Sequence, residues 1–184
     1  MRNAKWIVLM LCAAVLTGCD DHSVVSIHPL YDSATITFEP SLVGTWKIDE
    51  ETWTFERSGS MYRLSITEAR EDRTMHFEGA VAQLAGFLFL DLSSDDTGPT
   101  GAPAHVFFKL TTGDGMLHLA GLDNGWMEKA IMEESNFPFI RAHEKIVITA
   151  PTADLQYFFR KHGSDPEAFP ETGSDSGLHF TRAN

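Results

Sequence analysis

The chain has 184 residues, of which 43% are hydrophobic, and it carries a formal net charge of −12 at pH 7. This acidity argues against nucleic acid as a partner and against attachment to anionic lipid through a basic patch. The length and hydrophobic content are sufficient for one domain with a single buried core.

The first eighteen residues have the parts of a secretory signal in the usual order. Arg2 and Lys5 give a cationic start, Trp6 to Val15 form an uncharged apolar stretch, and small residues precede Cys19. That stretch is too short to span a bilayer, which requires about 20 consecutive apolar residues. We therefore predict a signal peptide over residues 1–18, and its removal takes the formal charge to −14.

Leu16-Thr17-Gly18-Cys19 resembles the lipobox of bacterial lipoproteins. The resemblance implies a thioether diacylglyceryl group on Cys19, cleavage before this residue and an acylated new amino terminus. The alternative is an ordinary secretory peptide with an unrelated cysteine. Because Cys12 leaves with the signal and Cys19 carries lipid, no thiol remains for a disulfide or a thiolate metal site. The lipid on Cys19 predicts that the protein is attached to a membrane.

Asp20 follows the lipidated cysteine directly. In this place it resembles the sorting signal that retains lipoproteins of enteric bacteria in the inner membrane. The resemblance implies the periplasmic face of the inner membrane, with the outer membrane as the alternative because other bacteria read this position differently. Residues 19–34 are predicted as a lipidated tether and residues 35–184 as one β-rich domain. Val24, Val25 and Leu30 are too apolar for a free linker, so part of the tether is expected to dock on the domain.

From Thr35 onward, hydrophobic residues alternate with polar ones, which predicts half-buried strands. The inward-facing sets of the first three strands are Leu42, Trp46 and Ile48; Trp53 and Phe55; and Tyr62, Leu64 and Ile66. Strands over Met75 to Val81 and Leu84 to Leu92 follow, and the polar stretch Ser93 to Pro103 predicts a long loop.

The clearest hairpin comes after that loop. Its expected turn is Gly113-Asp114, which would pair Phe108 with Leu119 and Leu110 with Leu117. Seven strands in a meander with short connections favour a sheet that closes on itself, because closure removes the open edges.

Two helices are predicted in the C-terminal third. The first covers Asn124 to Glu133 and is capped by Asp123 or Asn124, and the second covers Thr152 to His162 and is capped by Thr152. The apolar stripe of the second helix is expected to cover Phe87 and Phe89 on the outside of the sheet.

Two further strands complete the prediction. Lys145 to Thr149 is expected to supply the eighth strand, and Leu178 to Thr181 a short terminal one. The predicted fold is therefore mainly β, an antiparallel eight-stranded meander closing as a barrel, with two short helices near the end.

Gly44-Thr45-Trp46 resembles the first motif of lipocalins, whose eight-stranded barrels bind small apolar molecules and include bacterial lipoproteins. Arg182 resembles the arginine that packs on the lipocalin tryptophan. The resemblance implies a lipocalin-like barrel. The chain departs from the family in lacking its later motif of threonine, aspartate and tyrosine, and in placing a helix before the eighth strand.

A second resemblance covers more of the chain but implies no activity. It runs from His28-Pro29-Leu30-Tyr31 through Phe38 to Trp46 and on to Thr152-Ala153-Asp154-Leu155-Gln156. These segments are similar to bacterial lipoproteins without an assigned activity.

No pattern in the sequence predicts a catalytic residue, a metal or a cofactor. A nucleophile elbow, a phosphate loop and a dinucleotide motif are all missing, and the eight histidines lack the spacing of a zinc site. The adjacent pairs Glu50-Glu51 and Glu133-Glu134 are expected to diverge into solvent. The spacing of Asp91, Asp95 and Asp96 does not match a calcium loop.

These observations favour a non-enzymatic envelope lipoprotein that binds an envelope protein or a ligand. A lipocalin-like carrier of a small apolar molecule is the alternative. Trp46, Trp53 and Phe55 either line a ligand cavity or fill the core. An open apolar interior would favour the carrier, and a filled interior would favour the interaction module.

Overall fold

The computed structural model describes residues 24–94, 104–134, 137–142, 145–170 and 177–183. The described residues form twelve strands and two α-helices. The strands are β1 (Val24–Ser26), β2 (Ile36–Thr37), β3 (Gly44–Ile48), β4 (Glu51–Ser58), β5 (Met61–Glu68), β6 (Arg73–Leu84), β7 (Phe87–Ser94), β8 (His105–Gly113), β9 (Met116–Gly121), β10 (Phe139–Ala142), β11 (Lys145–Ile148) and β12 (Gly177–Arg182). The helices are α1 (Asn124–Glu133) and α2 (Thr152–His162).

Eight of these strands form a closed antiparallel barrel. Strands β3 to β9 follow one another around it in chain order, and β12 closes the ring by pairing with both β9 and β3. The mainly β fold, the eight-stranded closure and the two helices in the C-terminal part are as predicted. Most of the predicted loop Ser93 to Pro103 lies outside the described residues.

The identity of the eighth strand was predicted wrongly. β12 occupies that place, and it turns Leu178 and Phe180 into the barrel. β11 instead pairs in parallel with β1 and antiparallel with β10. These three strands extend the sheet sideways from the start of β8, where Ser26 pairs with His105. Apolar alternation fits any half-buried strand, so the pattern could not tell which segment completes the ring.

The turn of the β8–β9 hairpin was predicted one residue too early. The two turn residues are Asp114 and Gly115, with φ values of 51° and 73°. Such positive φ angles match a type I′ turn, for which Asp-Gly is a preferred pair. The pairing therefore shifts by two residues, so that Leu110 lies opposite Leu119. A shift of two keeps every side chain on its predicted face.

The hydrophobic side chains form two separate cores. One fills the barrel, and the other lies between the outer face of β6 to β8 and the two helices. In this second layer the ring of Phe159 on α2 lies 5.1 Å from the ring of Phe89 on β7, which confirms that the helix covers this face.

The caps of the two helices differ from each other. Of the two predicted caps, Asp123 is the one that caps α1, because its carboxylate accepts from the backbone N–H of Trp126 at 2.7 Å. The prediction that Thr152 caps α2 was wrong. Pro151 is the N-cap residue without a side-chain bond, and the Thr152 hydroxyl donates to the carbonyl of Pro29 at 2.8 Å.

The segment expected to be a tether packs on the domain from Val24 onward. Leu30 is fully buried in the second core, and Gln156 on α2 donates to its carbonyl oxygen at 3.1 Å. Within the described residues, no helix is long and apolar enough to cross a membrane.

Candidate functional site

The barrel interior is the first candidate site. Trp46 on β3 and Trp53 and Phe55 on β4 point into it, and their side chains are 1%, 0% and 1% exposed. The ring of Trp53 lies 4.9 Å from that of Phe180 on β12. These aromatic contacts join neighbouring and non-neighbouring strands across the interior.

The interior is filled by its own side chains. A cavity wide enough for a water molecule would leave accessible surface on the residues that line it. Among the buried residues of this core, those with at most 1% exposure are Leu42, Trp46, Trp53, Phe55, Tyr62, Leu64, Ile66, Val81, Leu90, Leu117, Leu119 and Phe180. The others, Phe77, Leu92, Phe108, Leu110 and Leu178, are at most 9% exposed. An eight-stranded barrel is narrow enough for side chains to fill in this way.

One end of the barrel is closed around Trp46. Its indole N–H donates to the carbonyl of Leu42 at 2.8 Å, and the guanidinium carbon of Arg182 lies 4.4 Å from the centre of its ring system. The same guanidinium donates to the carbonyls of Ser41 (2.6 Å) and Val43 (3.1 Å). The guanidinium of Arg182 therefore connects β12 to the beginning of β3 through hydrogen bonds and a cation–π contact.

Gly44 is required by this arrangement. Its φ of +128° is one that other residues rarely adopt, and a Cβ at this position would lie 2.6 Å from a guanidinium nitrogen of Arg182. The glycine, the tryptophan two positions later and the arginine therefore form one packed unit.

The opposite end of the barrel, which we call the acidic mouth, is defined by Glu51, Glu68 and Arg73. Glu51 begins β4 and lies directly opposite Glu68, the last residue of β5. The indole N–H of Trp53 donates to Glu51 at 2.9 Å, and Arg73 donates to Glu68 at 3.0 Å. The second carboxylate oxygen of Glu68 and Nε of Arg73 are buried without a hydrogen-bond partner in the described part of the chain.

Burial raises the pKa of Glu51 above its ordinary value, and the charge of Glu68 acts in the same direction. Glu50 and Glu51 diverge as predicted, since Glu50 pairs with Arg70 on the outside. The expectation that both would be solvated was wrong for Glu51. In the other acidic pair, Glu134 accepts from Lys161 at 2.5 Å, which joins the ends of α1 and α2.

A third polar group lies in the second core. Asp91 on β7 and His105 on β8 are both buried, and a carboxylate oxygen lies 2.7 Å from Nδ1 of the histidine. The other oxygen accepts from the backbone N–H of Leu30 at 2.7 Å. Burial raises the pKa of Asp91, against the effect of the hydrogen bond with His105. The pair therefore fastens the N-terminal segment to the barrel.

Sequence reasoning missed this pair. The available signal was an aspartate within a strand whose two faces are both apolar, because a buried carboxylate needs a partner. Asp95 and Asp96, whose spacing from Asp91 was compared with that of a calcium loop, lie outside the described residues. Among the residues that are described, no three histidine, cysteine, aspartate or glutamate side chains converge in a way that could hold a metal ion.

The predicted lipidation and sorting residues, Cys19 and Asp20, also lie outside the described residues. Val24, where β1 begins, follows Cys19 by five positions. Comparisons with protein-family models, with curated proteins and with solved structures found no match to this chain.

Proposed function

We propose that this chain is a lipid-anchored lipoprotein of the bacterial cell envelope whose barrel is a non-enzymatic binding module. The observation that carries the proposal is the filled interior around Trp46, Trp53 and Phe55. Because the interior of the barrel is filled by its own side chains, a partner would bind to the outer surface. That partner is an envelope protein, or a ligand held on the outside.

The state of Asp91, His105 and Glu51 supports a non-enzymatic role, whereas Glu68 keeps one oxygen without a partner in the described part of the chain. Asp91 and His105 bond to each other and to the N-terminal segment, and Glu51 accepts from Trp53. A general acid or base must reach a substrate proton within hydrogen-bond distance. These groups use their polar atoms to hold the fold together.

The lipid anchor is proposed at Cys19, on the periplasmic face of the inner membrane because of Asp20. The resemblance of Leu16-Thr17-Gly18-Cys19 to a lipobox supports the anchor, and the resemblance of Asp20 to a retention signal supports the inner membrane. Two or three acyl chains hold a protein on a membrane essentially permanently.

The anchor is tested by substitution of each cysteine in turn. Cys19→Ala should abolish incorporation of an alkyne-labelled palmitate analogue and leave a precursor of higher mass, because the thioether has no other site. Cys12→Ala is the matched control and should label and mature like the original chain, because residue 12 is removed with the signal. Equal labelling of the Cys19→Ala variant and the original chain would overturn the anchor proposal.

A lipocalin-like carrier is the second candidate, and the contact of Arg182 with Trp46 favours it. A carrier must hold its ligand inside the barrel, so it would have to rearrange side chains that are now tightly packed. Native mass spectrometry of the protein purified from its host separates the two candidates. A bound small molecule that Trp53→Ala alters would favour the carrier, and a ligand-free mass favours the surface module.

A further inference from the structure

The three-stranded extension has an apolar face that is turned away from the cores. Val25, Val147 and Ile140 lie side by side on β1, β11 and β10, because Val25 is the register partner of Val147 and Val147 that of Ile140. Ile27 follows two residues after Val25. We call these four residues the outer sheet face.

Ile27 and Ile140 on this face are exposed and Val25 and Val147 are half-buried, whereas Ile146 and Ile148 on the other side of the strands are buried. Ile140 is 55% exposed and Ile27 is 43% exposed, and they are two of the five large hydrophobic residues that the described part of the chain exposes to this degree. On the opposite side, Ile146 and Ile148 are buried in the second core. A β-sheet with two apolar faces requires a cover on both.

The proposed lipid anchor lies next to this face. Val24 follows Cys19 by five positions, and even a fully extended chain spans at most about 18 Å over that distance. Since β1 starts at Val24, the face cannot move farther than this from the acyl chains. A domain held so closely must present some surface to the bilayer, and the outer sheet face begins at the attachment point.

The charge of the face suits a phospholipid surface. Among the described residues of β1, β10 and β11, the outward-facing positions carry one charge, the cation of Lys145. Val24 pairs with Ile146, so Lys145 lies at the end of the face where the chain enters from the anchor. A lysine near a membrane surface is attracted by lipid phosphates, and aliphatic side chains enter the boundary between headgroups and acyl chains.

We infer that the outer sheet face rests on the bilayer that carries the anchor, with Ile27 and Ile140 at the boundary between headgroups and acyl chains. This inference rests on the proposed lipid anchor. It gives the barrel a defined orientation, in which β1, β10 and β11 lie along the membrane surface. The β8–β9 hairpin is distant from the outer sheet face, because it lies at the far end of β8, eight residues from His105, or about 26 Å along the strand.

The test uses the full, lipidated protein in vesicles of phosphatidylethanolamine and phosphatidylglycerol. An introduced cysteine at Ile140 (Ile140→Cys) is coupled to a nitrobenzoxadiazole dye, whose emission shifts to the blue in an apolar environment. Met116→Cys carries the same dye as the matched control, because Met116 is 51% exposed and lies in the β8–β9 hairpin. Both variants replace exposed side chains, so neither disturbs a core.

We expect the dye at residue 140 to emit at shorter wavelength than the dye at residue 116. Lipids brominated near the carbonyl end of the acyl chain should quench the dye at residue 140 several-fold more strongly than the dye at residue 116. Equal, weak quenching at both sites would overturn the inference. A protein crosslinked in cells to a photoreactive group at residue 140, together with weak lipid quenching, would also overturn it and assign the face to a protein.

Failure of the anchor is recognised separately. The mass of the purified protein reports the acyl chains on Cys19 before any vesicle is made. A protein without acyl chains contradicts the proposed anchor and with it the inference. An acylated protein with an unquenched dye at residue 140 contradicts the membrane-facing orientation alone.

Discussion

The side chain of Glu51 points into the acidic mouth of the barrel. Its neighbours along the strand on the same face are Trp53 and Phe55, so the mouth is polar only at its rim. Because burial and the nearby Glu68 raise the pKa of Glu51, the folded protein binds a proton at this site more tightly than the unfolded chain does.

This difference predicts a pH-dependent loss of stability. The ordinary pKa of this carboxyl group is 4.5. When the pKa is raised in the folded state, stability is lost as the pH rises from the ordinary pKa through the folded pKa. Glu51→Gln removes the charge and keeps an oxygen that can accept from Trp53. The free energy of unfolding of the variant, relative to the original chain, should therefore increase with pH above about 4.5 and then level off.

Urea unfolding at a series of pH values measures this effect, with Glu50→Gln as the control. Glu50 is the adjacent carboxylate, but it lies outside the barrel beside Arg70. Its substitution should not reproduce the rise with pH. A constant difference between the Glu51→Gln variant and the original chain across the pH range would show that the carboxylate is not held in the way described.

At the scale of elements, the close contact between α2 and the barrel determines the second core. Gly163 ends α2 directly above β7. A Cβ at this position would lie 2.6 Å from the carbonyl oxygen of Phe159 and 2.9 Å from the ring of Phe89. The φ of Gly163 is −62°, so its need for glycine is one of space and not of backbone conformation.

Gly163→Ala should therefore lower the free energy of unfolding by about 1 to 3 kcal/mol, the usual cost of overpacking. Gly113→Ala is the matched control, because no atom lies within 4 Å of the Cβ it would add. Its effect should stay within about 0.5 kcal/mol. Urea unfolding of both variants makes the comparison, and equal losses would mean that α2 does not approach β7 so closely.

At the scale of the whole molecule, the proposed anchor and the outer sheet face together determine where the barrel sits. The described residues have few exposed large hydrophobic side chains, and Ile27 and Ile140 on that face are two of them. Asp20 is the residue proposed to decide which membrane the proposed anchor enters.

Asp20→Ser should move a large share of the protein from the inner to the outer membrane of an enteric host, because it removes the proposed retention signal. Membranes separated on a density gradient measure the distribution. Asp21→Ser is the matched control. It makes the same substitution at the neighbouring aspartate and should leave the distribution unchanged. If both variants distribute like the original chain, Asp20 is not read as a sorting signal.

The sequence by itself was sufficient for features that depend on local periodicity. The inward positions of Trp46, Trp53 and Phe55, the cap at Asp123 and the placement of α2 over Phe89 follow from alternation, helical spacing and side-chain chemistry. Even where the β8–β9 turn was misplaced, the error was two residues in register, and a period of two preserved each face.

The tertiary structure alone decided which distant segments meet. It chose β12 over β11 as the eighth strand of the barrel, because both have the same alternation and differ only in the neighbours available to them. It also paired Asp91 with His105 and turned Glu51 towards the acidic mouth. Strand pairing and the burial of a charge depend on contacts between segments far apart in the chain, which no local pattern specifies.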